Sequence, residues 1–171
     1  PHADIRKLVV AVQLNSENDS QLQSNLDMTE EVITRMKDIM ADPRFETAHH
    51  PLVQVDFINN LARTLINWTQ LNERKEELAG VDVRRAEKAE EAIELMENIV
   101  IPLNSNLDQP FRGWHLYSHM VKEGKTAYTF VTLGRAYFVV RNARAAFGSF
   151  EKSWEIDPSD FIYTMQVRFD R

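Results

Sequence analysis

The sequence predicts an all-α fold of antiparallel helical hairpins or an irregular bundle, and three observations carry that expectation. Its 171 residues include only 5 Gly and 6 Pro, too little turn chemistry for a many-stranded sandwich or barrel. Apolar side chains recur at three-and-four spacing through the middle of the chain, and Asp, Pro and Gly interrupt those stripes where helices should start and stop. Apolar residues at 43% and charged residues at 27% describe a globular chain rather than a disordered one. No apolar run approaches the roughly 20 residues needed to cross a bilayer, so membrane insertion is not expected. Cysteine is absent, which excludes a disulfide framework, Cys-ligated zinc, an iron–sulfur cluster and a thiol nucleophile.

The elements follow in order. Leu8, Val10, Val12 and Leu14 alternate as in a strand, although the same stretch suits a short buried helix. Residues 15–25 are rich in Ser and Asn and read as an exposed loop. Asp27, three before Glu30, is placed to cap a helix carrying Val32, Ile33, Met36, Ile39 and Met40, which Asp42-Pro43 should stop. Pro51 occupies a first-turn position of a long helix with Phe57, Ile58, Leu61, Leu65 and Trp68 as its stripe, reaching about Leu78 and ended by Gly80. Ala86, Ala89, Ile93, Met96 and Val100 form the next stripe, which Pro102 should close. Asp108 and Pro110 open a helix running to Gly124. The chain thus divides into an N-terminal segment at 1–26, helical hairpins at 27–124 and a final unit at 125–171. Residues 1–110 hold 11 basic and 20 acidic side chains and residues 111–171 hold 9 and 6, so the sign of the charge changes along the chain.

Between Ala127 and Pro158, Phe130, Leu133, Gly134, Tyr137, Ala146, Phe150 and Pro158 stand at set intervals. This pattern resembles a tetratricopeptide repeat, a helix–turn–helix unit of about 34 residues. Gly134 and Ala146 are small where two antiparallel helices should cross, Tyr137 and Phe150 fill the space beside them, and Pro158 ends the second helix. The turn has Arg141-Asn142, where the family usually has Gly or Asp. A copy 34 residues earlier would put Ile99 and Val100 at the Leu-Gly pair, so no adjacent repeat is visible. The resemblance implies hairpins stacked as a right-handed superhelix, with a closing helix after Pro158. The alternating residues from Phe161 to Phe169 suit a strand equally well, so short strands at both termini stay open as an alternative.

The resemblance also implies a function. In the family, ligand contacts come from the first helix of each repeat, and in this register those positions are Tyr128, Val131, Thr132, Arg135 and Phe138. They form an aromatic and arginine groove suited to an apolar or acidic peptide. The expectation is a protein–protein interaction module with a scaffold or regulatory role and no cofactor, located in the cytoplasm.

Chemical motifs are otherwise sparse. There is no phosphate loop, nucleophile elbow or His-Glu-x-x-His, and Glu87, Glu90, Glu91, Glu94 and Glu97 lack the Glu-x-x-His partner of a ferritin-type centre. Arg135, Arg141 and Arg144 lie near aromatic residues, but the net charge of −6 argues against nucleic acid. His115 and His119 are four apart, a metal-gripping spacing, and His49-His50 could complete a set similar in outline to DinB-like helical bundles. A metal-dependent enzyme using His49, His115 and His119 is therefore the competing expectation.

Overall fold

A computed structural model describes residues 19–80, 86–105 and 118–158, and these are all-α, with no strand among the described residues. The helices are α1 (Asp19–Ala41), α2 (Arg44–Ala48), α3 (Pro51–Leu78) and α4 (Glu87–Leu95). A π-helical segment, Met96–Val100, then leads into α5 (Ile101–Ser105), followed by α6 (Ser118–Val139) and α7 (Ala143–Ile156). The alternating segments at the two termini lie outside the described residues.

Helix α1 begins earlier than the sequence reading expects. Residues 19–25 are helical rather than looped, and Asp27 accepts from Gln23 Nε2 at 2.6 Å within the helix instead of capping its start. The reason is a stripe hidden by polar neighbours: Leu22, Leu26, Thr29, Ile33 and Met36 follow four-three-four-three spacing, and all are buried. Its end agrees with expectation, because Asp42-Pro43 interrupts the backbone ladder. Asp42 then accepts from the Arg44 backbone N–H at 2.9 Å and from the Arg44 guanidinium at 3.0 and 2.6 Å, starting the short α2. Helix α2 buries Phe45 against Phe57, with ring centroids 5.1 Å apart.

Helix α3 has its expected bounds. Pro51 takes the first turn, His50 Nδ1 accepts from Leu52 N at 3.1 Å, and Gly80 at φ 68° ends the run in the left-handed region that glycine tolerates. Leu61, Leu65 and Ile66 are fully buried and form the centre of the core. Each such side chain contributes about 1.5–3 kcal/mol on leaving water.

Pro102 does not close the following helix. The backbone loosens before it into the π segment, where the Ile101 N–H reaches back five residues to Met96 O. This wider turn lets the helix continue through the ring to Ser105, with no α-type bond required at the position where proline has no N–H. Gly124 does not end a helix either, since α6 passes straight through the 124/125 position, and α1 is continuous across 26/27. An interior glycine costs a helix only about 1 kcal/mol, which tertiary packing can outweigh.

Paired contacts define the arrangement. Lys75 near the end of α3 meets Gln23 near the start of α1, while Phe45 of α2, just beyond the end of α1, meets Phe57 near the start of α3, so α1 and α3 are antiparallel. Lys88 Nζ lies 4.5 Å from the Trp68 ring centroid, and Asn59 and Asn104 converge on Thr129, so the α4–α5 arm runs back along α3. Tyr137 bonds Glu97, which makes α6 antiparallel to the arm and parallel to α3. The arm therefore packs against both of two parallel helices that also touch each other.

Helix α7 folds back on α6. The Asn142 N–H donates to Tyr137 O at 2.9 Å and the Arg141 N–H to Phe138 O at 3.0 Å, a turn that puts Arg141 at φ 62°. Asn142 Oδ1 then accepts from the Ala145 N–H at 3.2 Å to cap α7. Phe150 sits so close to Gly134 that a Cβ built on the glycine would lie 2.5 Å from Phe150 Cε1.

Helix propensity alone would favour Gly134→Ala by about 1 kcal/mol. The contact with Phe150 reverses the sign, and a net destabilisation of about 1–2 kcal/mol is expected in urea unfolding. Repeating the substitution in a Phe150→Leu background should abolish the cost. An equal cost in both backgrounds would place its origin elsewhere.

Candidate functional site

Asp56, Asn60, Arg63 and Asn67 occupy one side of α3 at i, i+4, i+7 and i+11, and each is half-buried. Facing them on α6 are Lys125, Tyr128 and Arg135, also half-buried. The two rows meet in a seam. Lys125 Nζ pairs with the Asp56 carboxylate, and the Arg63 guanidinium lies 5.5 Å from the Tyr128 ring centroid. Arg135 Nη2 makes a long 3.5 Å contact to Asn67 Oδ1, and Asn60 Nδ2 donates to Asp56 O at 2.9 Å. Arg63 Nε is buried and has no hydrogen-bond partner.

Beneath the seam lies a buried polar knot. Thr129 is fully buried, accepts from Asn59 Nδ2 at 3.2 Å and Asn104 Nδ2 at 3.1 Å, and donates to Lys125 O at 2.9 Å. One donor and two acceptor positions are all that a hydroxyl offers, so this group is saturated by α3, α5 and its own helix.

The five positions expected to form a groove separate into two sets. Tyr128 and Arg135 line the seam, and Phe138 is exposed at the end of α6. Val131 and Thr132 do not face outward: they are 3% and 1% exposed, and the Thr132 hydroxyl donates to Tyr128 O at 3.1 Å. Helix α6 packs against α3, the arm and α7 at once, and Val131 and Thr132 fall among those contacts. Among the motif residues, Leu133, Ala146 and Phe150 are buried, Phe130 and Tyr137 are half-buried against the core, and Pro158 is exposed.

The α3 half of the seam was missed by sequence reasoning. Its partners on α6 lie 65 to 70 positions away, beyond the reach of a local motif. The available signal was the polar row at helical spacing, Asp56, Asn60, Arg63 and Asn67, beside the apolar stripe of α3.

Of the histidines, His50 caps α3, and His49 is half-buried with its ring 5.7 Å from Phe45, edge to face. His115 lies outside the described residues, as does the side chain of His119. Among the described residues, no group of three or more His, Asp or Glu is placed to hold a metal. A depression of about 440 Å³ lies between α1 and α2, lined in part by Asp38, Ile39, Phe45 and His49. Asp42 and Arg44 at its edge are engaged with each other, and that bonding holds the Asp42 carboxyl down at about 2.

Tyr137 ties α6 to the arm by donating its hydroxyl to Glu97. Burial, and secondarily the hydrogen bond to Glu97, push its phenol up to about 12. No family model matches the chain, and no curated protein or solved structure matches it at a significant level.

Two expectations test this description. Thr129→Val keeps the shape but removes the acceptor shared by two buried amides, and should destabilise the protein by about 2–3 kcal/mol in denaturant unfolding. Tyr137 titrates above the ordinary tyrosine value of about 10, so its contribution to stability is complete below about pH 10 and lost as pH rises through about 12. Phenolate absorbance should show one tyrosine titrating near 12, and Glu97→Gln should lower that midpoint only part of the way, since burial is the larger cause.

Proposed function

We propose that the chain is a protein–protein interaction module of the tetratricopeptide-like kind, holding a segment of a partner protein along the open seam between α3 and α6. The observation that carries this reading is the seam itself. A row of polar and aromatic side chains from two parallel helices stays half-exposed along the line where the helices meet. Extended peptides and helices dock in such grooves, and tyrosine and arginine dominate binding hot spots.

The arrangement of the hairpins supports the repeat-like reading. Helix α3, the antiparallel arm, α6 and α7 form two successive hairpins whose first helices are parallel and adjacent, and the recognised motif places its first helix in α6. Paired positions on α3 and α6 are offset by 65 to 70 residues, about twice the repeat length, because the arm and the residues after it are long. The contact set for a partner becomes Asn60, Arg63, Asn67, Tyr128, Arg135 and Phe138.

A photo-crosslinking residue placed at Gln70, exposed beside the seam, should give a defined adduct in the source cell. The same residue at Glu151, exposed on α7, should give no adduct with another protein, and Asn67→Trp should remove the adduct at 70 without changing the circular dichroism spectrum. Absence of an adduct, or equal adducts at both positions, would exclude the seam as a docking face.

A further inference from the structure

The outer side of α7 carries its charges in the order that its own helix disfavours. Arg144 stands in the first turn and Glu151 and Glu155 near the end, while the first turn holds no acid and the last no base. The helix dipole favours the reverse, negative at the start and positive at the end. Nothing nearby offsets this: among the described residues, no ion pair or hydrogen bond engages the side chain of Arg144, Glu151 or Glu155. Lys152 is drawn aside, its Nζ 5.5 Å from the Phe130 ring centroid.

The same side is apolar at its middle and open to a close approach. Phe147 is 54% exposed although Phe150, one turn on, is buried against α6. Gly148 follows it in the helix interior, where glycine is a poor helix former. Gly134 is required by the Phe150 ring, but a Cβ built on Gly148 would meet nothing within 4 Å. The space in front of Gly148 therefore suits a neighbouring helix approaching closely.

The order of the charges selects that neighbour. Arg144 and Glu151 lie equally far from the point between Phe147 and Gly148. A second α7 laid antiparallel about this point sets Arg144 of each copy level with Glu151 of the other, and Glu155 beside the Arg141 turn. The two Phe147 rings meet at the axis and the glycines let the backbones approach. Each helix also receives opposite charge where its own sequence supplies the disfavoured sign. A parallel copy would set like against like. We infer that the chain self-associates through the outer face of α7, two copies packing antiparallel about a two-fold axis beside Gly148.

Sedimentation equilibrium of the full chain tests this. A reversible monomer–dimer equilibrium is expected between about 1 and about 300 µM, because one 14-residue helix per copy, about 21 Å long, makes a small interface. Glu151→Arg and Arg144→Glu should each weaken the dimer by at least about tenfold with an unchanged far-ultraviolet spectrum. Both reversals in one chain restore every opposite-charge pair and should return the affinity to within about threefold of the starting protein. Phe147→Ser should also weaken association, whereas Glu46→Arg, exposed on α2, should not. A chain that stays monomeric throughout would overturn the proposal and leave the face to the residues after 158 or to a different protein. So would a dimer indifferent to both single reversals and to Phe147→Ser, or a folded double reversal no tighter than the singles.

Discussion

The lateral spacing of α3 and α6 depends on the Thr129 hydroxyl, which takes hydrogen bonds from Asn59 on α3 and Asn104 on α5 while donating to its own helix. Apolar packing would hold these elements together without specifying how far one slides along another, because dispersion and burial have little direction. A saturated hydroxyl at the junction has direction. Lys125 and Tyr128 stand within one turn of Thr129, so the seam inherits its register from the knot below it. Polar groups placed this deep are a stability risk that a fold accepts where a single arrangement is required.

The two flanks of α6 are secured by different means. On the α7 side the contact is steric: Gly134 leaves no room beyond the Phe150 ring, so the helices approach closely. On the arm side it is a hydrogen bond from Tyr137 to Glu97. Helix α6 is therefore held by neighbours on three sides. The same crowding explains why Val131 and Thr132, sound candidates by helical phase, lie in the interior.

What the sequence revealed and what it concealed follow from the range of the interactions. Helix ends determined by local chemistry were legible, namely Pro43 after α1 and Pro51 and Gly80 around α3, and so was the close approach of α6 and α7 at Gly134. The start of α1 was hidden because Leu22 and Leu26 sit among Ser, Asn and Gln, so composition obscured a periodicity that was present. Pro102 misled because its effect depends on whether the preceding turn can widen, a tertiary matter. The α3 side of the seam was out of reach for a more basic reason: nothing near Arg63 in the sequence indicates that Tyr128 will lie beneath it.

The widened turn at 96–100 has an effect on angular phase. Each added residue rotates everything downstream by about 100° around a helix axis. With a regular α ladder through that stretch, Asn104 would leave the interior face and point elsewhere, and Thr129 would lose one of its two donors. A change of one residue in chain length there, far from the seam in sequence, would shift the seam's geometry more than most substitutions within it. The arm acts as a spacer whose register is counted in single residues.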